Sequence, residues 1–364
     1  MQLKHLSVVG FKNIDEAEVE PAAGLTCLVG PNGAGKTNLL DALYLLSMCK
    51  SSVGLTDRQC IGYGRDFFLL KGAYQAWGGS ELVSCGCSRA EGKVLKRNGK
   101  PYERLADHIG LLPLVMVSPA DSALISEAGE ERRRYLNSVA AQLDKGYLHA
   151  AVRYEKVLGQ RNKMLKDTYA LNRELLEVLD AQLGELAAQI FAARRALVGE
   201  LSPIFERYYE RIAGADERPG LRYASDLAEA PLADLLRRHF ERDRALQFTS
   251  VGTHRDDLAL TLGGHPLKKR GSQGQQKTTL LALKLAQAEL LRQRLGAPPL
   301  LLLDDIFDKL DMGRVKKLVE VVSGGDFGQI FLTDSSKARL NELLHVARLP
   351  YKVLEVKGGA FTEL

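Results

Sequence analysis

An α/β fold is what the sequence predicts: a mixed sheet and an antiparallel β subdomain built from the two ends of the chain, with an all-helical lobe inserted between them. Three observations carry that expectation. Short apolar runs with strand-like alternation interleave with helical segments at both ends of the 364-residue chain. Long charged stretches with apolar residues at three- and four-residue steps fill 123–250. A glycine-rich loop near residue 30 stands between an apolar strand and an apolar helix, and the α/β elements of the last third must fold beside it. The chain therefore divides into 1–122, the first half of an α/β head, 123–250, the helical lobe, and 251–364, the second half of the head.

Residues 2–9 alternate enough to form a strand and 16–19 a second, which makes a hairpin ahead of Pro21. Leu25-Thr26-Cys27-Leu28-Val29 is an apolar strand, and the helix after it carries Leu39, Leu40, Leu43 and Leu46, roughly one turn per apolar step. Between them Gly30-Pro31-Asn32-Gly33-Ala34-Gly35-Lys36-Thr37 fills the G-x-x-x-x-G-K-[ST] phosphate-loop pattern. Its four fixed residues would arise by chance in a chain of this length on the order of 1% of the time. The glycines let backbone N–H groups close around a β-phosphate, Lys36 reaches the β- and γ-phosphates, and the Thr37 hydroxyl is placed to ligate Mg²⁺. A nucleoside triphosphate is the expected ligand. Lys12 would sit near it if the hairpin covers the loop, and is otherwise a solvated surface lysine.

Beyond the loop helix, 67–73 and 82–87 read as strands, and Arg97-Asn98-Gly99-Lys100 as a tight hairpin turn, because Asn-Gly tolerates positive φ at both central positions. A buried strand over 111–117 stops at Ser118-Pro119. In the insertion, Tyr147, Leu148, Ala151, Leu158 and Leu165 form one apolar stripe. Leu171, Leu175, Val178, Leu179, Leu183, Leu186, Ile190 and Leu197 form another, which predicts an antiparallel helix pair turning near 167–171. A third helix starts at Pro231 and buries Leu232, Leu235, Leu236 and Phe240. Roughly thirty residues of helix span about 45 Å, a lobe or short arm rather than an extended coiled coil.

The strand pattern returns at Leu258, Leu260 and Leu262. After Lys268-Lys269-Arg270 and Gly271-Ser272-Gln273-Gly274-Gln275-Gln276-Lys277 a helix runs to about Leu295, and Pro298-Pro299 separates it from Leu300-Leu301-Leu302-Leu303-Asp304-Asp305. Four consecutive leucines make a buried strand whose tip carries two carboxylates to the C-terminal edge of the sheet, beside the phosphate loop. Asp304 is expected to orient Mg²⁺ through its water shell, and Asp305 to polarise the attacking water. Lys36, Asp304 and Asp305 form the expected catalytic set of an ATPase.

Ser272-x-Gly274-Gln275-Gln276 resembles the signature loop of the ABC-type ATPases. A serine and a glycine at a helix start make an anion site. This one lies too far along the chain to serve the phosphates held by Lys36, and a plain helix cap by Ser272 is the other reading. The resemblance implies a site that acts across a dimer, each signature loop closing on the γ-phosphate bound by its partner. Asp308-Lys309-Leu310-Asp311 stands where that family carries its D-loop; Asp308 replaces the usual small residue, so only Asp311 is carried over.

Over nearly the whole chain the sequence resembles the RecF family of the ABC/SMC-type ATPases. The resemblance is carried by Phe11-Lys12-Asn13, the loop at 30–37, Ser118-Pro119-x-Asp121, Arg132-Arg133-Arg134-Tyr135-Leu136, Gln160-Arg161-Asn162, His254-Arg255-Asp256-Asp257-Leu258, the signature-like loop through Lys277, and Leu303-Asp304-Asp305. Lys12 stands for the usual arginine, Ala120 for an acidic residue and Thr253 for a proline, and Thr333-Asp334 lacks the switch histidine of transporter ATPases. The resemblance implies a protein of recombinational repair that dimerises on ATP and binds DNA near single-strand gaps without reading sequence. It also implies slow ATP hydrolysis with Mg²⁺ and a role beside RecO and RecR in placing RecA. Arg132-Arg133-Arg134, Lys268-Lys269-Arg270 and Lys316-Lys317 are candidate phosphate contacts, though each alone also reads as a solvated face. An SMC-like or other ABC-type switch that does not act at gaps is the alternative.

Composition sets outer bounds. Fifty basic against 45 acidic side chains give a net charge of +5, too small to argue a polyanion partner by itself. No apolar run approaches the ~20 residues of a membrane span, and the first residues lack the apolar core of a signal peptide, so a cytoplasmic protein is expected. Five cysteines, an odd number, favour reduced thiols. Cys85-x-Cys87 alternates as strand residues do and lacks a second metal-spaced pair. A metabolic ATPase or kinase is disfavoured by the signature-like loop, and a nuclease-associated ATPase by the lack of a carboxylate-rich nuclease domain after residue 340.

Overall fold

The computed structural model describes the chain except residues 168–171, 215, 308–311, 325–326 and 346–348. In chain order, β1 (Gln2–Phe11) and β2 (Ile14–Val19) form the expected hairpin, with Phe11 paired to Ile14. A register shift between Leu3 and His5 lets Leu3 share the buried face with Leu6, three residues on. Then come β3 (Leu25–Val29), the phosphate loop and α1 (Lys36–Met48). β4 (Phe67–Ala76), β5 (Gly79–Ser88), β6 (Gly92–Arg97) and β7 (Lys100–Pro101) continue the antiparallel layer, and Asn98 and Gly99 both take positive φ in the last turn. β8 (Leu114–Val117) follows.

The middle of the chain supplies α2 (Ala123–Ser126), α3 (Gly129–Leu143), α4 (Lys145–Lys166), α5 (Arg173–Ala213), β9 (Pro219–Ala224), α6 (Leu232–Leu246), β10 (Asp257–Leu262), β11 (His265–Pro266) and α7 (Leu267–Arg270). The C-terminal part adds α8 (Gln273–Leu295), β12 (Leu300–Leu303), α9 (Met312–Val322), β13 (Ile330–Asp334), α10 (Lys337–Leu344), β14 (Tyr351–Lys357) and β15 (Ala360–Glu363).

These elements form two compact units, one of residues 1–122, 207–216 and 272–364, the other of 123–206 and 217–271. In the first unit one sheet has the order β15-β14-β3-β13-β12-β8, parallel except for the β14–β15 pair. The second sheet, β2-β1-β4-β5-β6-β7, is antiparallel throughout. This is the mixed sheet and antiparallel subdomain expected of an ABC-type ATPase head. Leu300 to Leu303 are all buried, as strands covered on both faces require. α8 is enclosed on every side from Thr278 to Leu291, so it shows no amphipathic stripe. Inside it, the Lys284 ammonium pairs with Asp121 at 2.6 Å and donates to the Met116 carbonyl, which offsets the burial of its charge. Gln329 bonds the backbone of Leu3 and Ala22 and so ties the two sheets together. All five cysteines are buried free thiols.

The second unit departs from an all-helical reading. β9 pairs with β10, which pairs with β11, and α7 closes the unit at 267–270. The segment Pro-Gly-Leu-Arg-Tyr-Ala carries little alternation of its own, and its pairing partners lie 33 to 43 residues further on. The strand at 257–262, read from sequence with the head, is thus part of this unit. In α5 the buried face runs through Leu176, Leu179, Leu183, Ile190 and Leu197, whereas Leu175 and Val178 are exposed: each lies one residue, about 100°, off that face. Phe240 is only half-buried on α6. The turn expected near 167–171 lies largely outside the described residues.

Two buried arginines hold this unit. Arg161 donates to Asp180 (2.6 Å), Asp243 (2.8 Å) and Thr249 (2.9 Å). Arg194 reaches Asp256 and the Thr253 carbonyl at 2.7 Å each, along with Tyr147 and Asn137. Arg161, Asn162, His254, Asp256 and Asp257 therefore hold helices and turns in place. Arg161→Met leaves the fully buried Asp243 without its countercharge, which costs about 3–5 kcal/mol; urea denaturation of the variant reads this directly, and a loss under ~1 kcal/mol would contradict it.

Candidate functional site

The phosphate loop follows β3 and opens α1, and its backbone demands glycine at fixed places. Gly33 (φ 78°) and Gly35 (φ 116°) are left-handed. A Cβ at Gly30 would collide with the Val356 carbonyl. Two turns brace the loop. Asn13, in the β1–β2 turn, donates to the Gly33 carbonyl at 3.0 Å and accepts from Asn38 at 2.7 Å. Gly359, in the β14–β15 turn, donates its N–H to the Ala34 carbonyl at 2.8 Å.

The Lys36 ammonium donates to the carbonyls of Gly30 (2.6 Å) and Pro31 (2.9 Å), folded back along the loop whose phosphate it is expected to reach. Burial pushes it below its ordinary pKa, while Asp305, Asp304 and Asp334 pull the other way.

The carboxylate strand β12 is separated from β3 by one strand, β13. Thr37 Oγ1 nevertheless donates to Asp304, with its oxygens at 2.9 and 3.0 Å, which joins the loop to the strand tip across 267 residues of sequence. Thr333 Oγ1 donates to Asp304 Oδ1 at 2.8 Å and accepts from the Asp305 N–H at 2.9 Å. Burial raises the Asp304 carboxyl above the ordinary range, and the Thr333 and Thr37 hydroxyls work against that rise. Asp305 is held in a left-handed conformation, φ 47°. A hydroxyl and a carboxylate in contact form the hard oxygen set that Mg²⁺ takes, so Thr37 and Asp304 fit the expected metal.

Lys12 is not the solvated surface lysine of its second reading. Its ammonium pairs with the buried Asp41 of α1 at 2.6 Å, and only 9% of its side chain is exposed. Asp41 also accepts from Ser51 and Ser52, so the lysine braces the loop helix through a charge network. Its neighbour Asn13 is the hairpin residue that touches the loop.

Ser272 caps α8: its hydroxyl accepts from the Gln275 N–H at 3.2 Å, and the Gln275 side chain accepts from the Ser272 N–H at 2.9 Å. The Gln275 side chain is thus engaged in the cap. At Gly274 an added Cβ would lie 3.1 Å from Arg314 Nη1, which donates to Thr278 at 2.9 Å. Asp308 and Asp311 lie outside the described residues.

The basic clusters separate clearly. Arg132 makes a two-point ion pair with Asp257 (2.6 and 3.0 Å), and Arg133 donates to the Asp256 carbonyl at 2.9 Å. Arg134 pairs with Glu130 and Glu131 on its own helix. The first two are thus engaged within the fold by the carboxylate of Asp257 and the carbonyl of Asp256. Lys268, Lys269 and Arg270 are exposed on α7, as are Lys316 and Lys317 on α9. The site contacts of Asn13, Asn38, Thr333 and Lys284 were not read from the sequence. Only Asn13 carried a signal, its place after Phe11-Lys12.

Comparison with known proteins agrees with this architecture. A family profile described as "AAA domain, putative AbiEii toxin, Type IV TA system" matches residues 25–71. The chain is 46% identical to the DNA replication and repair protein RecF of Bacteroides thetaiotaomicron, over 100% of this chain and 99% of that one. It is 47% identical to the protein of the same name from Parabacteroides distasonis, over 99% and 98% of the two chains. Among solved structures it is similar to the recombination mediator protein RecF-ATP in the RecFOR pathway, with a TM-score of 0.89 and 28% identity over 100% of this chain and 97% of that one. The Smc head domain from Pyrococcus furiosus, at TM-score 0.59 and 16% identity over 100% and 95% of the chains, shares the fold. On the identity to full-length curated relatives, the chain belongs to the RecF family.

Proposed function

We propose that the chain is an ATP-switched DNA-binding protein of recombinational repair and replication-gap processing, active in the cytoplasm. ATP binds the loop at 30–37, two subunits close on it, the closed dimer holds DNA near single-strand gaps, and slow hydrolysis releases it. The observation that carries the reading is the Thr37–Asp304 contact, which unites a phosphate loop with an acidic strand tip in the same unit that presents the Ser272-capped helix. Lys36 holds the β- and γ-phosphates, and Asp305 polarises the attacking water. Thr37 and Asp304 would hold Mg²⁺, which would supply charge neutralisation at the phosphates. Two nucleotides buried at one interface give closure a differential affinity for ATP over ADP. By kinship, RecO and RecR are the partners with which it places RecA.

Ser272→Arg tests the trans site. A bulky cation at the start of α8 is expected to leave ATP affinity within about threefold of the parent and to prevent ATP-dependent dimerisation; normal dimerisation would remove Ser272 from the interface.

DNA contact is assigned to Lys268, Lys269 and Arg270, with phosphates as the target and no base readout. Reversing these three charges to Glu is expected to weaken DNA binding at least tenfold and to reduce the salt slope by up to ~3, at about 0.9 per phosphate contact. Arg132→Ala, folded and measured alongside, should bind DNA as the parent does. Equal affinity in the triple variant would move the DNA surface elsewhere.

A further inference from the structure

We infer that Thr333 is the positioning residue that holds the carboxylate pair Asp304–Asp305 in working order. The inference rests on the reading of those two aspartates as the hydrolytic pair. Strand order makes the arrangement possible. β13 lies between β3 and β12, and Leu332 pairs with Leu303, so Thr333 comes level with Asp304 at the end of the neighbouring strand.

Its side chain is fully buried and its hydroxyl is used twice. It donates to Asp304 Oδ1 at 2.8 Å and accepts from the Asp305 N–H at 2.9 Å. One hydroxyl therefore fixes the carboxylate of the first aspartate and the backbone of the second. The second bond matters because Asp305 sits at φ 47°, a conformation that a non-glycine residue keeps only when its surroundings hold it. That backbone sets where the Asp305 side chain leaves the strand tip.

Asp304 accepts from two threonines, Thr37 and Thr333. Thr37 belongs to the phosphate loop and is the hydroxyl assigned to the metal. Were Mg²⁺ to take the Thr37 hydroxyl, Thr333 would be the threonine left to orient Asp304. Threonine is thus placed where a hydroxyl can serve as donor and acceptor at once, which valine cannot do.

Thr333→Val has nearly the same shape, keeps the strand preference and removes both bonds. The expected result is a fall in kcat of at least 20-fold, with KM and the equilibrium affinity for a fluorescent ATP analogue in Mg²⁺ both within threefold of the parent. Thr333→Ser, which restores the hydroxyl, should bring kcat back to within fivefold. Asp305→Asn is measured in parallel to separate the two ideas. Loss of hydrolysis in Asp305→Asn with a parent rate in Thr333→Val overturns the role of Thr333 and leaves that of Asp305 standing. A parent rate in Asp305→Asn defeats the hydrolytic pair, and the inference falls with it. If Thr333→Val does not fold, Thr333→Ala and Thr333→Ser decide: low kcat with Ala and high with Ser supports the inference, and equal rates overturn it.

Discussion

Lys36→Ala abolishes nucleotide binding while leaving the fold in place. The ammonium is the loop's cation: it lies on the carbonyls of Gly30 and Pro31, two neutral acceptors that a charged phosphate oxygen can replace. A charge-assisted hydrogen bond contributes about 1.5–3 kcal/mol each. Loss of contacts to two phosphates therefore predicts an affinity lower by two orders of magnitude or more, roughly 3–6 kcal/mol. The bracing of the loop by Asn13, Asn38 and Gly359 does not involve Lys36, so thermal stability should change little. Fluorescence titration with an ATP analogue checks the expectation. An affinity within threefold of the parent would mean that the phosphates bind elsewhere.

Asp305→Asn separates binding from hydrolysis. The substitution keeps size and backbone, so the Asp305 N–H can still donate to Thr333, and Asp304 keeps its contact with Thr37. What is lost is the negative charge that polarises water. General-base assistance of this kind contributes typically 10²–10⁴-fold, so turnover should fall by at least about 100-fold with ATP still bound, and closed dimer should accumulate under hydrolysable ATP. Phosphate release and solution mass measured on one sample decide it. Hydrolysis at the parent rate would remove Asp305 from the mechanism.

What could be read from sequence was what is local. The phosphate loop is eight contiguous residues, and the run of four leucines before Asp304 declares a covered strand; both stand as read. The Asn98-Gly99 turn was legible for the same reason. What escaped depends on pairing over distance. β13 enters between β3 and β12 only through sheet order, which is why Thr333 gave no sign of its two bonds. β9 needs β10 to become a strand, so the insertion read as wholly helical.

Charge was the least legible property. Arg132-Arg133-Arg134 reads as a basic patch until Asp257, 125 residues away, is placed against it. Lys12 reads as a surface lysine until Asp41 turns out to be fully buried beneath it. Sequence gives the sign of a side chain but not its partner, and exposure decides which arginines remain for a phosphate.

The central claim is that the triphosphate closes two copies of this chain on one another. Light scattering tests it most directly, on the unmodified protein without nucleotide, with ADP, and with a slowly hydrolysed ATP analogue plus Mg²⁺. The expected result is a doubling of mass with the triphosphate alone and a monomer in the other two conditions. A mass that does not depend on nucleotide would contradict it: the phosphate loop would remain an ATP site, but the switch would not be assembly.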